Sequence, residues 1–153
     1  MFLFFNLGLI IGQGFKIFMG DAGSTFIGLG ISWALVSFSQ GDNLIFSPVT
    51  ALWIFSVPLI DTIFVMSRRV ANRKSPFEPD RKHLHHFFIQ SGRTDRETLF
   101  IIVSFSIVMA LIGVLMEVNE VNEAFMFLFF LTISFTYYFG LRHAWGLLNV
   151  SKE

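Results

Sequence analysis

Long apolar runs separated by short polar breaks make up this chain. Met1 to Ile11 is apolar, and Gly12-Gln13-Gly14-Phe15-Lys16 interrupts it. A second run extends from about Ala22 to Ser39 and closes on Gln40-Gly41-Asp42-Asn43. Ser47-Pro48 opens a third, with Ser as N-cap and Pro at the first helical position; it reaches Met66 and carries Pro58 and Asp61 inside it. The polar stretch Ser67 to Arg96 follows and ends in Thr94-Asp95-Arg96-Glu97, whose T-x-x-E spacing is a capping box. The fourth run ends near Met116, Glu117 to Glu123 is a short acidic loop, and the fifth run occupies about Ala124 to Leu141.

Runs of about 20 apolar residues match the thickness of a bilayer's hydrocarbon core. The pattern therefore predicts an all-α integral membrane protein. Four full transmembrane helices are expected over about 22–39, 48–66, 97–116 and 124–141, with a truncated helix over about 1–12 and a cytoplasmic loop over 67–96. Met1 to Ile11 lacks the basic n-region and the small-residue cleavage site of a signal peptide. Being too short to span, it gives the expectation that the chain lacks an N-terminal portion. No internal repeat or linker divides the rest.

Composition strengthens the membrane reading. Hydrophobic residues make up 54% and charged residues 14%, against about 25% in soluble domains. Zero net charge gives no case for a nucleic-acid partner, and the absence of cysteine removes disulfide and thiolate chemistry. The distribution of cations is more telling. All 11 Lys and Arg fall on one side of the runs, at Lys16, in the 68–96 stretch, and at Arg142 and Lys152, and none lies in 40–47 or 117–123. The positive-inside rule then puts Asp21, the polar stretch and the C-terminus on the cytoplasmic side.

Three places hold candidate chemistry. Asp61 lies within an apolar run, where a carboxylate is costly unless it faces protein or water; it either serves a site, reaches the interface or caps a break after Pro58. Gly20-Asp21-Ala22-Gly23-Ser24 combines a carboxylate, a hydroxyl and glycines that let a ligand approach the backbone. Asp21 there would suit Mg²⁺, which takes a carboxylate plus phosphate oxygens, or would simply cap the helix. Arg81-Lys82-His83-Leu84-His85-His86 holds three of the four histidines. It admits a zinc site, with His143 distant, a cationic phosphate site, or a loop on anionic lipid headgroups. Neutral histidines fit the last reading poorly. A carboxylate loop and a basic histidine loop on one face suggest handling of a diphosphate at the lipid surface.

The segments Lys16 to Thr25 and Ser75 to His86, with Ser47 to Trp53 and Pro58 to Asp61, resemble the polyprenyl-phosphate N-acetylhexosamine-1-phosphate transferases. Within that family the resemblance is to the branch using GlcNAc, not to the peptidoglycan branch. It implies transfer of GlcNAc-1-phosphate from UDP-GlcNAc to undecaprenyl phosphate in the bacterial inner membrane, with Mg²⁺ (or Mn²⁺) as cofactor, to start a lipid-linked surface polysaccharide. Asp21 would hold the metal, and His83, His85 and His86 would act in catalysis. Arg81, Gly20, Gly23, Ser24 and Asp61 would bind substrate. The family also carries a motif of adjacent aspartates, and this chain has no such pair. The resemblance is thus to the C-terminal half of such an enzyme, with the other half expected as a partner. A non-catalytic membrane subunit and a zinc-dependent membrane hydrolase are the rival readings.

Overall fold

The computed structural model describes residues 19–41, 44–76 and 83–150, with side chains as far as Gly146. Every regular element among them is helical, and the chain divides into two units, Met1–Leu44 and Ile45–Glu153. The first unit holds one described helix, α1 (Gly20–Ser39), long and apolar enough to cross a membrane. Phe26, Leu29 and Trp33 stand exposed along it. A helix apolar on all sides suits a hydrocarbon surround.

The second unit comprises α2 (Pro48–Ile54), α3 (Ser56–Ala71), α4 (Leu84–Gln90), α5 (Asp95–Val118) and α6 (Glu123–Val150). α5 and α6 each meet the requirement for a span. α2 and α3 meet it only as a pair, bent by 79° where they join at Phe55. This corrects the continuous helix expected over 48–66. The physical cause is Pro58, which has no N–H for the carbonyl of Ile54 and whose ring would collide with it. The helix therefore breaks four residues upstream and restarts, leaving Pro58 in the first turn of α3, where its missing donor costs nothing. α3 also continues to Ala71, and α6 to Val150, beyond the expected ends at Met66 and Leu141.

Local end signals hold where they were expected. The Ser47 side chain accepts a bond from the Thr50 N–H at 3.3 Å, and Pro48 is the first residue of α2. Thr94 and Glu97 form the reciprocal capping box that starts α5. Glu117, expected in a loop, lies in the last turn of α5 instead. Its carboxylate accepts from the Ser47 N–H at 3.0 Å, the Ser47 hydroxyl at 2.6 Å and the Thr50 hydroxyl at 2.5 Å. The end of one helix thereby clamps the start of another.

The core follows one stripe from each helix. Trp53, Val57, Ile60 and Phe64 continue at helical spacing across the bend, opposite Met109 on α5 and Met126, Phe130, Leu141 and Trp145 on α6. Between membrane helices the gain comes from close van der Waals packing, because lipid is as apolar as leucine. Gly113 provides that closeness. A Cβ there would lie 2.2 Å from Trp53 Cβ and 2.7 Å from Trp53 Cγ, so α2 and α5 touch nearly backbone to side-chain root. Trp53 is then completely enclosed, 5.5 Å from the Phe129 ring and 5.6 Å from that of Phe130.

Gly113→Ala is expected to cost about 1–3 kcal/mol by overpacking, read as a lower unfolding midpoint in detergent. Because the nearest atom is Trp53 Cβ, shortening that side chain in a Gly113→Ala/Trp53→Ala double variant should not restore stability. Recovery in the double variant would show that the indole, not the helix approach, is the constraint.

Candidate functional site

The site grows out of the bend. Restarting the helix after Phe55 carries Asp61 to the second turn of α3, with its side chain only 17% exposed. Its two oxygens have separate partners. Oδ1 accepts from the backbone N–H of Leu84 at 2.9 Å, and Oδ2 lies 3.0 Å from Nδ1 of His83. The first N–H groups of a helix have no partner within it. His83 is the N-cap of α4 and supplies no side-chain cap of its own, so Asp61 caps α4 from a different helix.

Helix α4 was not expected inside the polar stretch. The signal lay in Leu84, Phe87 and Phe88, three apolar residues at spacing that shares one helix face. Leu84 is buried, Phe87 and Phe88 pack against the core, and the Phe87 ring meets Trp145 edge-on at 5.6 Å. The histidines therefore sit on an anchored turn. His83 and His85 stack nearly parallel at 5.9 Å, and His85 and His86 are 4.0 Å apart. His85 is exposed on its outer side, yet its pKa lies below the usual histidine value. Loss of water around the ring ranks first among the causes, followed by repulsion from His86 and His83, with Asp61 partly opposing.

Two further residues belong to this neighbourhood and were not anticipated. Arg69 is buried near the end of α3 and donates from Nε to the Ser75 carbonyl at 2.7 Å, tying down the chain as it leaves the helix. The Tyr137 hydroxyl of α6 is buried with no hydrogen-bond partner among the described residues and lies within the electrostatic reach of Asp61. Arg81 falls outside the described residues. Among those described, no three His, Cys, Asp or Glu side chains are grouped to hold a metal ion.

Asp21, in the other unit, is exposed in the first turn of α1. Met19 occupies the N-cap without a side-chain bond, and Gly20 adopts φ +71°, a conformation suited to glycine. Ser24 donates back to the carbonyl of Asp21 at 3.0 Å, so its hydroxyl is directed at the helix backbone. No described residue bonds the Asp21 carboxylate. An exposed carboxylate with no partner among the described residues is compatible in chemistry with Mg²⁺, which keeps most of its water and needs only one or two protein oxygens.

Set beside known proteins, the chain is 47% identical over 146 residues to the undecaprenyl-phosphate alpha-N-acetylglucosaminyl 1-phosphate transferase of Haemophilus influenzae. It is 46% identical over 142 residues to the protein so named in Pasteurella multocida, and 43% over 153 residues to that of Escherichia coli K12. These matches cover 95%, 93% and 99% of this chain and 41%, 40% and 41% of the relatives. The chain is thus related along nearly its whole length to the C-terminal part of these transferases, and it spans about two-fifths of the length of the curated relatives it matches. No family model matches it, and no solved structure does.

His85 is expected to remain neutral at pH 7 and to take up its proton below its ordinary range near 6.5. Since the folded value is the depressed one, its contribution to stability is intact above about pH 6.5 and declines as pH falls towards the folded value. A ¹⁵N-histidine NMR titration checks this; His85 titrating at or above the ordinary value would contradict it.

Proposed function

We propose that this chain forms the sugar-nucleotide side of a membrane transferase. That enzyme moves GlcNAc-1-phosphate from UDP-GlcNAc to undecaprenyl phosphate, starting a lipid-linked cell-surface polysaccharide. The observation that carries the reading is the 43% identity over 153 residues to the E. coli transferase, which takes in both polar loops. The anchored histidine turn and the exposed Asp21 carboxylate would supply groups the reaction needs.

In this reaction an oxygen of the lipid phosphate attacks the sugar-linked phosphorus. The bond to the uridine-side phosphate breaks, and UMP leaves with the bonding electrons. Mg²⁺, or Mn²⁺ in its place, would offset the negative charge of the phosphates. Asp21 is the residue here that would hold it, with Gly20 and Gly23 allowing close approach and Ser24 supporting the turn. His86, with Arg81, would hold the diphosphate through hydrogen bonds, and His83 would accept a proton or a hydrogen bond from the substrate. His85, kept neutral beside them, would limit like-charge repulsion within the cluster. The adjacent aspartates that activate or position the lipid phosphate would come from an N-terminal half. The eleven-to-zero distribution of Lys and Arg supports the inner membrane with both loops in the cytoplasm.

The test joins the chain to the matching N-terminal half of a relative, by co-expression. Mg²⁺-dependent release of UMP is expected from the pair and not from either half. In the pair, Asp21→Asn should lower kcat by about 10²-fold with membrane insertion intact. His86→Ala should raise KM for the sugar nucleotide by roughly tenfold, the worth of one strong hydrogen bond, and His83→Ala should lower kcat roughly tenfold with little change in KM. A pair that inserts and assembles but releases no UMP would leave the chain as a non-catalytic membrane subunit.

A further inference from the structure

We infer that Asp61 is a positioning residue. It holds His83 in the Nδ1–H tautomer and so leaves Nε2 as an unprotonated acceptor. An ionised carboxylate can only accept hydrogen bonds. With Oδ2 at 3.0 Å from Nδ1, the proton of a neutral His83 must sit on Nδ1. That reverses the ordinary preference of neutral imidazole, which carries its proton on Nε2. Oδ1 is fixed at the same time by the Leu84 N–H at 2.9 Å, so the carboxylate cannot turn away from the ring. The His83 side chain is 35% exposed and its ring lies nearly parallel to that of His85, 5.9 Å away. Orientation of one imidazole nitrogen by a carboxylate on the other is how proteins commonly set the role of a histidine.

The chemical consequence separates the three histidines. His83 carries an unprotonated Nε2, able to accept a proton or a hydrogen bond from a substrate hydroxyl or a protonated phosphate, and unable to donate there until it is charged. His85 and His86 have no such carboxylate partner among the described residues. Asp61 thus acts through His83, not on the substrate directly. That role in turnover rests on the function proposed above; the tautomer does not.

The test is a ¹⁵N spectrum of histidine-labelled full-length chain in nanodiscs at about pH 8.5, well above the ordinary histidine range, with His83→Gln used to assign the signals. For His83, a pyrrole-type Nδ1 and a pyridine-type Nε2 are expected. The reverse pattern, or a doubly protonated ring, would overturn the inference without any variant being needed. In Asp61→Asn the carbonyl is expected to keep the Leu84 N–H and the amide NH₂ to face Nδ1, so the tautomer should switch. An unchanged tautomer in a folded Asp61→Asn chain would also overturn it. In the two-half enzyme, Asp61→Asn should lower kcat roughly tenfold or more while KM for UDP-GlcNAc moves by less than about threefold. The loss should not add to that of His83→Gln. Additive losses would assign Asp61 a separate role. An inactive wild-type pair would count against the proposed function and leave the spectrum to decide the tautomer.

Discussion

Pro58 has no N–H to offer the carbonyl of Ile54, and the unit from Ile45 to Glu153 is arranged around that missing bond. In hydrocarbon an unbonded peptide group costs several kcal/mol, so a chain can leave the helical ladder only where protein compensates. Here it leaves at Phe55, and the resulting 79° bend divides one apolar run into two helices with different duties. α2 lies against α5, close enough that Gly113 cannot carry a side chain. α3 heads elsewhere, carrying Asp61 towards α4. A straight helix over the same residues would not allow both contacts.

Among the described residues, the two semi-buried carboxylates are accommodated by one device. Glu117 receives the N–H and hydroxyl of Ser47 and the hydroxyl of Thr50 at the start of α2. Asp61 receives the N–H of Leu84 and the ring of His83 at the start of α4. In each case a negative side chain from one helix meets the unsatisfied donors of another helix's first turn, where the backbone partial charge is positive. Exchanging solvent for fixed donors is what allows a carboxylate to remain among apolar helices. The two pairings differ in their consequence. The Glu117 pairing involves only hydroxyls and backbone, so it holds structure. The Asp61 pairing includes an imidazole, so the same interaction also decides where a proton sits.

Features governed by neighbours in sequence were legible before the fold was known. Ser47-Pro48 and the Thr94–Glu97 capping box begin helices as their spacing predicts, and the apolar runs mark the long helices. The bend was also written locally, in Pro58, but a proline in an apolar run shows only that a ladder bond is missing. Whether the helix kinks, breaks or stops depends on what packs beside it. Asp61 with His83, and Ser47 with Glu117, were out of reach because the partners lie 22 and 70 positions apart. Helix α4 was missed for another reason. Its 7 residues carry too little periodicity to stand out from a charged loop, and it exists because α5 and Trp145 offer Leu84 and Phe87 a place to be buried.

That anchoring bears on what the histidine stretch is for. A loop that only meets lipid headgroups through its cations needs no defined backbone, since attraction between mobile charges and an anionic surface acts at a distance. Such a loop gains nothing from burying Leu84, docking Phe87 on Trp145, or assigning an intramembrane carboxylate to cap a short helix. Fixing the backbone costs on the order of 1 kcal/mol per residue in entropy, and the contacts made by α4 offset that cost while orienting three imidazoles. Oriented imidazoles matter to chemistry that depends on direction, as proton acceptance and hydrogen bonding to a phosphate do. Helix α4 with its histidines is therefore better understood as a platform docked on the neighbouring helices than as part of a loop between two of them.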